Sequence, residues 1–296
     1  MEKKLLLLGV VVVVCLCGSV ALALDPMGPP AAGLKQGKWS AGFEYSYSDM
    51  DLKFSHGKYS DSYIDDGTPG SESGKISSGK VKGVKANKIY ANIGYGIMDN
   101  WDVFVRLGGA DAKFDSSGED LDVKFDSDYV FAYGFGTKVT FWEQSPELKW
   151  GGLFQMSWAN NLISTSQGTE AGEVDGDGVS YIETYSESAE VDLSEIQIAV
   201  GPTWTPAKGF SVYGGPFLHF VNGKVEGKYT DSDVEESDPP SAYFETGKIS
   251  GDITEDNCFG GYIGAQIQLG ENAFVSAEWM TTGDAEAFGA SVICRF

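Results

Sequence analysis

Tyr129-Val130-Phe131-Ala132-Tyr133-Gly134-Phe135-Gly136-Thr137-Lys138-Val139-Thr140-Phe141 sets two kinds of side chain on opposite sides of an extended chain. In an extended chain Tyr129, Phe131, Tyr133, Phe135, Val139 and Phe141 share one side. Ala132, Gly134, Gly136, Lys138 and Thr140 share the other. Period two is the geometry of a β-strand, in which successive side chains point to opposite faces. One face is large and apolar, the other small or polar.

The same alternation recurs outward in both directions. Ten segments carry it, at about 38–54, 82–97, 101–114, 127–142, 148–163, 196–204, 210–220, 259–269, 273–279 and 288–296. Their connections alternate in length. Tight turns fall at 98–100, 143–147, 206–208 and 270–272, whereas long polar segments lie at about 55–80, 115–126, 164–190 and 228–250. Tight turns on one rim and long loops on the other describe an all-β, up-and-down antiparallel barrel of about ten strands, within a range of eight to twelve.

Composition sets bounds on what such a chain can do. Its 296 residues hold 21 Lys+Arg against 43 Asp+Glu, for a net charge of -22. Phosphate backbones need a basic face, so nucleic acid is excluded as a partner. A hydrophobic fraction of 42% with 13% aromatics excludes a disordered acidic tail. Lys3 and Lys4, the apolar run from Leu5 to Cys17 and Ala21-Leu22-Ala23 form the pattern of a secretory signal peptide over 1–23. A short Pro/Gly-rich leader follows at 24–37, and the barrel domain occupies 38–296. Of the four cysteines only Cys258 and Cys294 then remain, and the strand map sets them at opposite heights.

Two architectures share this pattern. A soluble secreted barrel that binds a ligand inside would turn its apolar faces inward. A transmembrane barrel inverts the order, because lipid is the apolar solvent and closure satisfies every backbone group. The export signal and the strand lengths favour inversion. So do Trp39, Trp101, Trp142, Trp150 and Trp204, which form an aromatic belt near the tight-turn side, as a membrane interface selects.

The last strand, Phe288-Gly289-Ala290-Ser291-Val292-Ile293-Cys294-Arg295-Phe296, adds a specific sign. With Phe288, Val292 and the terminal Phe296 on one face, it is similar to the C-terminal assembly signal of Gram-negative outer-membrane proteins. Residues 38–296 thus resemble the bacterial outer-membrane β-barrel superfamily, broadly its OmpA-like and small porin-like types. The resemblance implies an outer-membrane location, surrounding lipid and the β-barrel assembly machinery as partners, and long loops facing the cell exterior. It says nothing of oligomeric state.

By strand parity Glu44, Arg106, Lys138 and Glu278 point into the lumen at one level, about five residues from the tight turns. They read either as a salt-bridge network that fills a narrow barrel or as a constriction that tunes ion passage. If the turn at 206–208 sets Trp204 opposite Phe210, Glu195 and His219 also fall directly opposite each other in the lumen. That pair reads as a cross-strand ion pair or, in a membrane-embedded hydrolase, as an acid/base pair. The motifs oppose catalysis. Phe217 and Phe54 stand where outer-membrane proteases of the ten-stranded type have the Asp of Asp-x-His, and no His-x-Ser of an outer-membrane phospholipase occurs. No catalytic residue is assigned.

The acidity is local. Residues 164–190 carry seven carboxylates and no Lys or Arg, and the four long segments, the last counted to residue 256, together hold -19. They read as a solvated rim or as a site for loosely bound Ca²⁺ or Mg²⁺, centred on Glu173, Asp175, Asp177 and Glu183. An EF-hand is rejected, because Glu183 falls one residue early and Thr184 holds the twelfth position. No other cofactor is implied. The function expected is structural or small-solute and ion passage, with acidic outer loops that bind divalent cations or a surface partner.

Overall fold

The computed structural model describes residues 24–118, 121–173, 180–235 and 241–296. The expected signal peptide, 1–23, lies outside them. Fourteen strands run in chain order: β1 (Trp39–Asp65), β2 (Thr68–Ile76), β3 (Gly79–Met98), β4 (Trp101–Ala110), β5 (Lys113–Gly118), β6 (Leu121–Asp126) and β7 (Val130–Ser145). Then follow β8 (Leu148–Glu173), β9 (Ser180–Ala207), β10 (Phe210–Glu235), β11 (Ser241–Thr254), β12 (Phe259–Leu269), β13 (Ala273–Thr282) and β14 (Ala285–Arg295).

Ten of these close a ring in the order β1–β3–β4–β7–β8–β9–β10–β12–β13–β14, with β14 returning to β1. Every pairing is antiparallel. The seam is closed between the start of β1 and the end of β14, since Trp39 and Phe296 exchange backbone N–H···O bonds of 3.0 and 2.9 Å. The fold is an all-β, up-and-down transmembrane barrel of ten strands.

Its faces are inverted relative to a soluble protein. Phe43 is 68% exposed, Phe131 64% and Ile263 57%, while Ser46, Gln155, Gln197 and Glu278 are buried on the inner face. The soluble ligand-binding alternative demands the reverse and is overturned. Apolar side chains outside and polar ones inside are stable only where the exterior solvent is lipid. Cys258 and Cys294 are both free thiols.

The long segments are not irregular loops. They continue as strands: β1, β8, β9 and β10 run 27, 26, 28 and 26 residues, well beyond the apolar belt. Recurring Thr and Tyr supply strand formers while the intervening Ser and charged residues supply no apolar face, which is why polarity alone suggests loops there. Above the belt β2, β1, β11, β10, β9 and β8 form a continuous six-stranded sheet. In it β11 alone joins β10 to β1, where three strands (β12, β13 and β14) separate them lower down.

Introducing Arg at Phe135, on the lipid face of β7, costs about 2–4 kcal/mol near the bilayer midplane. Phe135→Arg is expected to lose heat-modifiable migration on SDS gels, whereas Thr169→Arg, on the projecting part of β8, is expected to keep it.

Candidate functional site

The leader decides the character of the lumen. Rather than hanging outside, residues 24–37 thread the barrel interior: Leu24, Asp25, Met27, Pro30, Ala31 and Leu34 are all buried. At one end the Leu24 amide donates to Ser48 Oγ of β1 (3.0 Å). At the other, the Gln36 amide donates to Asp99 in the β3–β4 turn (2.9 Å). The segment therefore runs from the middle of the lumen to the tight-turn rim.

Its composition suits that path. Pro26, Pro29 and Pro30 have no N–H that would need a partner inside the barrel. The donors that remain meet carboxylates on the wall. Met27 and Gly28 donate to the two oxygens of Glu278 at 2.5 and 2.8 Å. Gly28 has φ +63°, a left-handed conformation that favours glycine. Further down, Gly33 and Leu34 donate to Asp102 (2.6 and 3.1 Å), and Ala32 donates to Thr140 Oγ1 (2.9 Å). Hydrogen bonds to charged groups contribute about 1.5–3 kcal/mol each, so this anchoring is substantial.

Side chains complete it. Lys88 Nζ lies 3.1 Å from Asp25 Oδ1, and Arg106 Nη1 lies 3.6 Å from Asp25 Oδ2. Arg106 also pairs with Glu44 (2.6 Å) and donates to the Pro26 carbonyl. Lys88 continues to Glu195 (2.7 Å), Glu195 to His219 Nε2 (3.5 Å), and His219 Nδ1 to Glu255 (2.8 Å). The result is one buried chain, Glu44–Arg106–Asp25–Lys88–Glu195–His219–Glu255, in which carboxylates and basic side chains alternate. Alternation of this kind lets charges stay out of water together.

The expected charge level is thus divided. Glu44 and Arg106 form a direct pair. Glu278 is occupied by leader amides and the Tyr213 hydroxyl (3.0 Å). Lys138 stands 5.8 Å from the centroid of the Phe104 ring.

Glu195 and His219 do touch, but not as directly opposed residues. An irregularity between Phe210 and Val212 pairs Phe210 with Ala207 and Val212 with Trp204. His219 consequently faces Gln197, and Glu195 faces Val221. The two meet diagonally. Asp25 and Glu255 lie in the leader and in a long polar segment, outside the strands that alternation marks, whereas Lys88 falls on the polar face of the 82–97 strand, where alternation alone gives it no partner.

Of the belt tryptophans, Trp39, Trp101, Trp142 and Trp204 are exposed at the tight-turn end. Trp150 is half-buried against Trp142, their rings stacked 6.2 Å apart. Phe288, Val292 and Phe296 lie along the outer side of the last strand, with Val292 and Phe296 exposed. In the candidate cation loop, Asp175 and Asp177 fall outside the described residues. Glu173 ends β8 opposite Ser180, and Glu183 on β9 faces Glu170 and Asp233.

Above the leader the projecting sheet separates charge by face. Its inner face continues the lumen surface and pairs Asp61 with Glu72 and Gly247, Tyr63 with Glu245, and Asp231 with both Glu245 and Tyr185. Tyr229 and Tyr243 donate to Glu245 (3.0 and 3.1 Å), and Tyr59 donates to Glu72 (3.0 Å). Burial and then the neighbouring carboxylates raise the Tyr229 and Tyr243 hydroxyls above the ordinary tyrosine range. They remain neutral donors. No Lys or Arg shares this inner face on the six paired strands. The vestibule is lined by carboxylates and tyrosines.

No protein-family model matches the sequence, and no curated relative matches it. Among solved structures, the chain is similar to the outer membrane protein OprG from Pseudomonas aeruginosa, at 12% identity and TM-score 0.37, covering 89% of this chain and 98% of that one. It is also similar to the outer membrane protease OmpT from Escherichia coli, at 11% identity and TM-score 0.35, covering 89% and 96%. The translocator domain of the autotransporter NalP from Neisseria meningitidis gives 11% identity and TM-score 0.36, with 89% of each chain covered. No residue role is carried across from them.

Removing one member of a buried ion pair strands its partners, at about 3–5 kcal/mol. Lys88→Met, which leaves Asp25 and Glu195 facing each other, is expected to lose stability on that scale in urea unfolding of the micelle-bound barrel. Unchanged unfolding would contradict the structural weight given to this chain of charges.

Proposed function

We propose that this chain is an outer-membrane β-barrel held closed by its own N-terminal segment, whose exposed work is done by the projecting sheet. The observation that carries the reading is the course of residues 24–37 through the lumen, bonded to the wall by Asp25, Met27, Gly28, Gly33 and Leu34. The lipid-facing belt, the export signal expected at 1–23 and the C-terminal strand bearing Phe288, Val292 and Phe296 all support delivery to an outer membrane. Lipid surrounds the belt, and the assembly machinery reads that last strand.

In this reading the resting barrel does not conduct. Passage of a small solute or ion requires the leader to move, and cations would enter first because the vestibule above it is lined by carboxylates. Ca²⁺ or Mg²⁺ would be drawn to the same carboxylates, Glu183 among them, as loosely held counter-ions rather than as a fixed cofactor. The hydrolase reading draws no support from the site, since His219 is completely buried and both its ring nitrogens face carboxylates.

The lumen-facing glycines offer a direct test. A Cβ at Gly151 would collide with the Ala31 backbone, and one at Gly96 with the Lys35 carbonyl. Gly151→Leu is therefore expected to expel the leader without altering any lumen charge. In planar bilayers the unaltered protein should stay silent, while Gly151→Leu and a deletion of residues 26–34 should open steady conductance. Arg106→Ala should raise single-channel conductance in the same direction, by loosening Asp25 and Pro26. Conductance of the unaltered barrel equal to that of the deletion would contradict the reading.

A further inference from the structure

The outer face of the projecting sheet carries a feature that closing the barrel does not need. Lys58 on β1 is directly opposite Lys75 on β2, and Lys228 on β10 is directly opposite Lys248 on β11. Between the two pairs, Lys248 lies opposite Ser60, two residues along β1 from Lys58. Four exposed lysines thus form one row across four adjacent strands.

Like charges directly opposed on a sheet repel at Cβ separations of about 4.5–5.5 Å. Here the repulsion is not relieved within the chain: among the described residues none of the four lies within 4.0 Å of a carboxylate oxygen. The acids on this face stand diagonally: Glu226 to Lys248, itself set against Glu190, and Asp252 to Lys58, itself 3.1 Å from His56 Nδ1. The chain has twice as many acids as bases, 43 against 21, and the inner face of this sheet carries carboxylates without a Lys or Arg. Concentrating lysines on the outer face against that balance is a costly arrangement unless an anion occupies it.

The surroundings match a phosphorylated saccharide. A shallow depression is lined by Lys58, Lys75 and Lys248 together with Ser60, Ser73 and Ser250, so hydroxyl donors and acceptors flank the ammonium groups. Lysine ammoniums serve phosphate as point charges, and hydroxyls suit sugar hydroxyl groups. Position narrows the source. The row faces away from the vestibule and stands above the apolar belt, eight residues beyond Phe220 along β10, a rise of roughly 20 Å for a tilted strand. That is the side of the barrel that the saccharide layer of the surrounding leaflet reaches.

We infer that Lys58, Lys75, Lys228 and Lys248 form a docking ladder for the phosphorylated saccharide of an outer-leaflet glycolipid. The inference rests on the outer-membrane reading above. The ladder ties the projecting sheet to the lipid layer around it and leaves the acidic inner face free.

The test uses the full barrel in neutral detergent micelles, titrated with purified lipopolysaccharide and with the same material after enzymatic removal of phosphate. The unaltered protein should bind the phosphorylated form, and affinity should fall by roughly fivefold for each lysine changed to glutamine. A variant with all four lysines changed to arginine should retain binding, which separates charge from folding damage. Equal binding by the Lys58→Gln, Lys75→Gln, Lys228→Gln, Lys248→Gln variant, or by dephosphorylated lipid, overturns the ladder. Tight binding of soluble heparin with none of the glycolipid overturns the chosen occupant in favour of a soluble polyanion. Heat-modifiable migration of the unaltered protein reports the membrane barrel separately: its loss overturns the outer-membrane reading, and its retention confines any failure to the ladder.

Discussion

Asp25 between Lys88 and Arg106 is the interaction on which the rest of the lumen depends. Without it, two fully buried cations on the adjacent strands β3 and β4 would stand side by side on one wall of the lumen, with Glu195 beside one and Glu44 beside the other. A ten-stranded barrel is too narrow to dilute such charges with bulk water and too wide to be closed by its small lumen residues alone. A proline-rich strand of chain solves both problems. It brings one carboxylate to the centre, few orphan donors, and amides aimed at Glu278 and Asp102.

The same economy of charge organises the sheet above. An inner face of carboxylates and tyrosines continues the lumen, and the lysines stand outside. The net charge of -22 is therefore a directed field rather than a diffuse coat. Narrowing from three strands to one at β11 brings Glu255 down onto His219, so the top of the buried ion-pair chain is set by the segment that links the projecting sheet to the membrane barrel. Sheet and leader are joined through Glu195 and Lys88.

The ring itself was readable from residues such as Phe131, Tyr133 and Phe135, because lipid exposure makes period-two alternation unusually strong. Lumen parity was readable for the same reason: Glu44, Arg106, Glu195 and His219 all point inward. Register across the β9–β10 turn was not, since a single irregularity near Phe210 moves every pair by two residues and leaves no trace in hydropathy. The projecting strands were hidden because Ser, Thr and Gly read as loop when neither face is apolar. The leader had a legible signal that composition alone could not locate. Lumen glycines such as Gly96 and Gly151 imply crowding, and the object they make room for is the chain's own Pro/Gly-rich start. Only three-dimensional closure shows that the two compositions are complementary.

A closed barrel requires residues 24–37 to reside in the lumen after assembly. Hydrogen exchange at the Gly28, Gly33 and Leu34 amides, measured on the refolded protein in micelles, tests this without relying on conductance. Bonds to Glu278 and Asp102 inside a closed lumen predict exchange slowed by orders of magnitude, comparable with the strand amides around them. Exchange at the rate of an unstructured peptide would place the leader outside and contradict the closed barrel.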